Sequence, residues 1–131
     1  MKTSTTLALA AMALVACTSD PRPPPGVSAA AHRKCFFASQ VNNFQAIDEN
    51  TVYIKVGVRD VYEMKMFTPC RDVDWAQRIA LTSHGGSSIC TGLDADIIAP
   101  GFGERPHRCQ VRDIRLLTPQ EVAALPPKAR P

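Results

Sequence analysis

From Phe44 to Cys70 the chain reads FQAIDENTVYIKVGVRDVYEMKMFTPC, two alternating runs joined by a short polar turn. In the first run Val52, Ile54 and Val56 point one way, while Tyr53 and Lys55 point the other. In the second, Tyr62, Met64 and Met66 share a face opposite Val61, Glu63, Lys65 and Phe67. A period of two is the mark of a half-buried strand. Gly57, Val58, Arg59 and Asp60 supply the glycine and the short acidic residue that tight turns favour. The stretch therefore predicts a β-hairpin ending at a cysteine, and the remaining strands must cover its apolar face.

The start of the chain predicts where that domain resides. Lys2 is a short basic region, Leu7 to Val15 is an uninterrupted apolar run, and Leu14-Val15-Ala16-Cys17 follows at once. A basic start, a short apolar run and small residues before a cut describe an export signal too short to span a membrane. The tetrapeptide resembles the lipobox of bacterial lipoproteins, in which cleavage before the cysteine is coupled to its acylation. The resemblance implies that Cys17 carries the lipid, and several acyl chains on one residue give stable anchoring at about 0.8 kcal/mol per buried methylene. The simpler alternative is an ordinary secretory signal with Cys17 near the cut. Thr18 stands where an aspartate would favour inner-membrane retention, so the expected location is the outer membrane, facing the periplasm.

Cleavage after residue 16 removes one charged side chain, Lys2. The remaining 115 residues carry 14 basic and 12 acidic side chains, a balance of +2. That balance gives no case for nucleic acid. Residues 17–31 begin with the lipidated cysteine and contain TSDPRPPPGVS, which reads as a semi-extended, proline-rich tether. Residues 32–125 then form one small domain, and 126–131 a flexible tail. A core of that size is marginal and calls for covalent support.

Cys35, Cys70, Cys90 and Cys109 can supply it, because an even count in an exported small domain favours disulfides. Three connectivities are possible. The preferred one joins Cys70 to Cys109 and Cys35 to Cys90, since each pair ties opposite strand ends. Loops of roughly 40 to 55 residues are worth about 4 kcal/mol each in the chain-entropy model. No C-x-x-C spacing supports a redox motif or a zinc knuckle.

Read in order, Cys35 to Ile47 is a strand with a bulge or bend at Asn42-Asn43, and Asp48-Glu49-Asn50 turns into the hairpin. Residues 71–74 form a polar connection. Trp75 to Thr82 is a strand with Ile79 and Leu81 toward the core, or it contains a helical turn around Val73 to Gln77. His84-Gly85-Gly86-Ser87-Ser88 is a hairpin turn. Ala95 to Ile98 is a further strand, and Pro100 to Pro106 a loop. Cys109 to Leu117 alternates with a phase shift between Val111 and Ile114 that predicts a bulge. Thr118-Pro119-Gln120-Glu121 is a capping-box signature opening a short helix through Leu125. The fold expected is mainly β: a small antiparallel barrel or sandwich of about six strands with one C-terminal helix.

The four-cysteine layout, with CF near the start, the aspartate-led hairpin (Asp48 to Tyr62), a mid-chain PC, IC-x-G-L-D and a late C-x-V, resembles a family of small proteobacterial lipoproteins. That family is catalogued only as a domain of unknown function, so the resemblance implies no activity.

Candidate chemistry is sparse. His84 beside Gly85-Gly86-Ser87-Ser88 could present amides to an anion, but no lysine or strand-to-helix context accompanies it. Ser87, His84 and Asp94 have the residue types of a hydrolytic triad without a G-x-S-x-G elbow. His32, His84 and His107, with Asp94 or Asp96, share no metal-ligand spacing, and no cofactor is expected. Trp75 with Tyr53, Tyr62 and Phe67 could form a platform for a sugar or peptide. The plainer expectation places Trp75 in the core with the tyrosines at its edge. Arg59, Lys65, Arg71, Arg78, Arg105, Arg108, Arg112 and Arg115 could face anionic lipopolysaccharide or peptidoglycan. Nearby acids, Asp60, Asp72, Asp74 and Asp113, suggest a mixed solvated surface instead. The sequence thus points to a non-catalytic envelope lipoprotein, bound to the membrane by its lipid and to an envelope protein or glycan by its domain. Two rivals are an inhibitor of a cell-wall hydrolase such as lysozyme, and a small enzyme or metal-binding protein built on the His84 loop.

Overall fold

The computed structural model describes residues 34–92, 95–101 and 105–131. The hairpin forms as the alternation predicts: β3 (Thr51–Val56) and β4 (Asp60–Met66) pair antiparallel, with Val52 opposite Met64 and Ile54 opposite Tyr62. Gly57 turns the chain at φ +57°, the left-handed region where a side chain costs most. β2 (Val41–Asp48) joins one side of the hairpin and β8 (His107–Leu116) the other. β7 (Ala95–Ala99) continues the sheet and β5 (Ala80–Ser83) ends it, giving the order β2-β3-β4-β8-β7-β5. This six-stranded sheet is antiparallel and curls into a half-barrel.

Cross-strand register builds the core in rows. Ala46, Val52, Met64 and Ile114 stand side by side across four strands, and Phe44, Ile54, Tyr62 and Leu116 form the next row. Most of these side chains are buried, and together they make up the concave face. Leu81, Ile97 and Cys109 continue the lining on the other half of the sheet. The two predicted irregularities are present and share one purpose. Asn42 has no partner between the Val41–Val56 and Asn43–Lys55 pairs, and Arg112 none between Lys65–Asp113 and Met66–Val111. An extra residue restores the apolar phase on both sides of it. Val111 and Ile114, three apart, can therefore both face inward.

Four features of the fold differ from those expected. First, Cys35 to Ile47 is not one strand: β1 (Cys35–Phe37) is separated from β2 by a 3-10 turn over Ala38–Gln40. Second, the His84 segment is not a hairpin turn. It carries the chain out of the large sheet into β6 (Ser88–Cys90), which pairs with β1 in a separate two-stranded sheet. In that small sheet Phe36 lies opposite Ile89, both are buried, and the Phe36 ring sits 4.7 Å from that of Tyr62. The eight strands are thus six in the half-barrel and two that close over its core.

Third, the hairpin is covered on both faces. Tyr53, Val61 and Leu117 form a second buried cluster beneath Val122 and Leu125 of the C-terminal segment. Fourth, the residues after Leu125 do not fray. Pro127–Ala129 make a 3-10 turn whose Ala129 is buried in that second cluster, and the Arg130 guanidinium donates to the Leu125 and Ala123 carbonyls. The prolines that stop the helix also turn the chain back onto the sheet.

Both disulfides form with the preferred connectivity. Cys35 and Cys90 are directly opposed partners in the small sheet, and Cys70 and Cys109 join with their Cα atoms 5.5 Å apart. The second is the buried one, whereas Cys35 lies at the surface.

The helix α1 (Pro119–Ala124) is capped as the sequence requires. Thr118 Oγ1 accepts from the Glu121 N–H (3.2 Å), and the Glu121 carboxylate accepts from the Thr118 N–H (2.7 Å). Glu121 also meets Arg115 of β8 at 2.5 Å, so the capping acid ties the helix to the sheet. The Thr118 amide and the Arg115 guanidinium hold the Glu121 carboxyl at about 2, below its usual 4.5. A depressed folded-state value stabilises the fold above the unfolded value and stops doing so as pH falls through the folded one. Thermal melts from pH 6 to pH 2 are therefore predicted to lose stability mainly between about 4.5 and about 2. In Glu121→Gln that part of the acid dependence should be reduced; an unchanged profile would contradict the cap.

Candidate functional site

The residues singled out in the sequence do not converge. Tyr62 is in the core beside Phe36, and Tyr53 is on the opposite, outer face of the sheet. His84 follows β5, while Trp75 lies on the segment that precedes it. Each position has its own chemistry.

Tyr53 belongs to a polar row across β3, β4 and β8. Its hydroxyl donates to Glu63 Oε1 (3.3 Å), and Arg115 donates to Glu63 Oε2 through Nη2 (3.1 Å) and Nε (3.3 Å). Glu63 is only 8% exposed, so these bonds compensate a carboxylate withdrawn from water. Burial, then the Glu63 charge, raises the Tyr53 pKa above its ordinary 10; burial, then Asp60, raises that of Tyr62. The row binds the C-terminal helix to the sheet; both tyrosines are largely buried, and Tyr62 borders a hollow with Gln40, Arg59 and Asp60.

His84 Nε2 is 3.0 Å from Asp96 Oδ1, and Arg108 Nη1 is 3.1 Å from Asp96 Oδ2. Asp96 is 4% exposed, and the His84 ring and the Arg108 guanidinium satisfy its carboxylate. Ser87 is exposed on the connecting loop, and Asp94, the acid of the triad considered above, lies outside the described residues, as does His32. His107 is occupied at the other end of the sheet, where its Nε2–H donates to the Arg71 carbonyl (2.7 Å). Its ring nitrogen approaches the sulfurs of Cys70 and Cys109 within 4.8 Å, but both are consumed by their disulfide and offer no thiolate to a metal.

Trp75 differs most from expectation. It is not core: 73% of its surface is exposed, although it is the only tryptophan of the chain. The segment bearing it is nonetheless held firmly. The Cys70 N–H donates to the Glu49 carbonyl (2.6 Å), Val73 is fully buried, and the turn bonds Trp75 N–H to Asp72 O and Ala76 N–H to Val73 O follow. Asp72 sits at φ +63°, a left-handed conformation that aspartate tolerates better than most residues. No helix forms over Val73 to Gln77; the chain makes successive tight turns over residues 71–75 instead. Burying Val73 rather than Trp75 is what turns the indole outward.

Outside this segment lies an open hollow of about 320 Å³, walled by Trp75, Asp72, Gln77 and Arg78 on one side and Pro100 and Gly101 on the other. A second hollow adjoins it, shares Asp72 and Gly101, and is walled by Arg71, His107 and Arg108. Pinned aromatic surface with convergent polar groups is the usual composition of a binding site. The available sequence cue is a lone tryptophan in a polar connection between cysteines.

Trp75→Ala is predicted to change unfolding free energy by less than about 0.5 kcal/mol, as for other exposed positions. Val73→Ala should cost about 1–3 kcal/mol, because it removes buried methyl groups and leaves a cavity. Urea titrations of the two variants decide it; a larger loss for Trp75→Ala would place the indole in the core after all.

No curated protein and no solved structure matches the chain. The model of the family of unknown function DUF6491 matches residues 1–131, and the chain belongs to that family.

Proposed function

We propose that this protein is a non-catalytic lipoprotein of the bacterial cell envelope, anchored through Cys17 and displaying a disulfide-stapled β domain that binds an envelope component. The observation that carries the binding role is Trp75. A large indole left in water on a segment fixed by a buried disulfide and a buried valine forgoes the burial that a core position would give it. Aromatic residues presented this way supply contact area without an entropic cost of ordering the loop on binding. The anchoring role is supported by Leu14-Val15-Ala16-Cys17 directly after the apolar run, and by TSDPRPPPGVS as a spacer. Two disulfides suit an oxidising compartment outside the cytoplasm.

Intact mass of the full chain extracted from membranes tests the reading. It is expected to begin at Cys17 and to carry the added mass of diacylglycerol and a further acyl group. Cys17→Ala is expected to remain unprocessed and to lack the lipid. A mature protein that starts elsewhere, or carries no acyl mass, would overturn the anchoring.

A further inference from the structure

The two hollows beside Trp75 contain more than an aromatic wall. Among the described residues, Lys65, Arg108 and Arg115 form ion pairs and His84 contacts Asp96, whereas neither Arg71 nor Arg78 meets a carboxylate. Both arginines are exposed, and Arg78 shares its hollow with the indole. Asp72 lies between them, lines both hollows, and is likewise in no ion pair. Asp74 is exposed nearby, so two acids stand against Arg71 and Arg78, the neighbouring Arg108 being already paired with Asp96.

These groups select among ligands. A planar indole face complements the C–H face of a saturated ring, a contact of which a compact anion such as phosphate makes little use. An ionised aspartate only accepts hydrogen bonds, so Asp72 suits a ligand rich in hydroxyl donors and repels a bare anion. Gln77 can donate or accept beside it. An unpaired arginine fork matches a carboxylate in bidentate geometry. At about 320 Å³ the hollow is at the lower end of the roughly 300–1,000 Å³ range of ligand sites, suited to a ring-sized group rather than a long segment.

We infer that the hollow beside Trp75 binds a carboxylated sugar, its ring against the indole, its hydroxyls on Asp72 and Gln77, and its carboxylate on Arg78 with Arg71 adjoining. The inference rests on the envelope-binding role proposed above and names the ligand class for it. In an envelope such a sugar has two sources, the lactyl-bearing amino sugar of peptidoglycan and the acidic keto-sugar of lipopolysaccharide.

The single tryptophan makes the test direct, because its fluorescence reports on this hollow alone. The full chain, in nonionic detergent, is titrated with N-acetylmuramic acid, with 3-deoxy-octulosonate, and with neutral N-acetylglucosamine. At least one acidic sugar is expected to shift the emission saturably, with about tenfold or greater preference over the neutral one, as a charge-assisted pair provides. Which acidic sugar is preferred identifies the source. Arg78→Gln is expected to bring that preference to within about twofold. Trp75→Ala, followed by calorimetry, is expected to lose binding of both kinds of sugar. Equal affinity for acidic and neutral sugars, an undiminished preference in Arg78→Gln, or no shift at about 10 mM sugar would each overturn the inference. So would a response to an acetylated acidic tripeptide but to none of the sugars. If the sugars fail while the membrane-extracted chain still carries its acylated Cys17, the anchoring reading stands and only the ligand class is lost.

Discussion

The buried Cys70–Cys109 disulfide is the constraint on which the arrangement of this domain most depends. Cys109 belongs to the inward row of β8, opposite Ile97, and Cys70 stands just beyond the end of β4. The bridge closes a separation of 39 residues, worth about 4 kcal/mol by loop entropy. Its second effect is local. It fixes the point from which residues 71–79 leave the sheet, and His107 holds the same segment through the Arg71 carbonyl. Val73 then fills the core and Trp75 is left outside. A stabilising cross-link and the exposure of the indole are here the same structural event.

The opposite face of the sheet is organised by charge rather than by sulfur. Tyr53, Glu63 and Arg115 are neighbours across three strands, and Arg115 extends the row to Glu121 at the first turn of the helix. A withdrawn carboxylate is unfavourable by itself, but this one accepts from a phenol and from a guanidinium that stays partly in water. The row therefore contributes position as much as energy: it sets where the helix starts. Val122, Leu125 and Ala129 can then cover Tyr53 and Val61. The two faces of one hairpin thus serve the core and the C-terminal clasp.

The local elements were readable because each has a local cause. Alternation defined β3 and β4, the phase slip between Val111 and Ile114 located the bulge, and Thr118 with Pro119 and Glu121 specified the cap. What escaped reading depends on distant partners. The preferred Cys35–Cys90 bridge brings Ser88-Ile89-Cys90 to Cys35-Phe36-Phe37, but no local pattern distinguishes that strand pairing, 55 residues apart, from a hairpin with the preceding strand. Tyr53 and Val61 look like the outward half of an alternation, and only the returning helix and the turn at Ala129 bury them. A large aromatic suggests a core position, yet in this segment it is Val73 that fills the core with Cys70 and Cys109, and Trp75 is left outside. Of the four surface candidates, Trp75 is the one whose side chain is largely exposed beside a hollow; His84 is matched to Asp96, Tyr53 is enclosed, and Tyr62, although it borders a hollow with Gln40, Arg59 and Asp60, is 3% exposed.

A pinned, outward-facing indole, flanked by two arginines in no ion pair among the described residues, is the link between this architecture and the proposed binding role. That link depends on the cysteine pairing, because another connectivity would move the segment that bears Trp75. The decisive measurement is disulfide mapping: proteolysis of the unreduced, alkylated protein followed by mass spectrometry of the linked peptides. The account predicts one linked pair joining Cys35 to Cys90, another joining Cys70 to Cys109, and no alkylated thiol at these four positions. Peptides linking Cys70 to Cys35 or Cys90, or free alkylated Cys70 and Cys109, would contradict it.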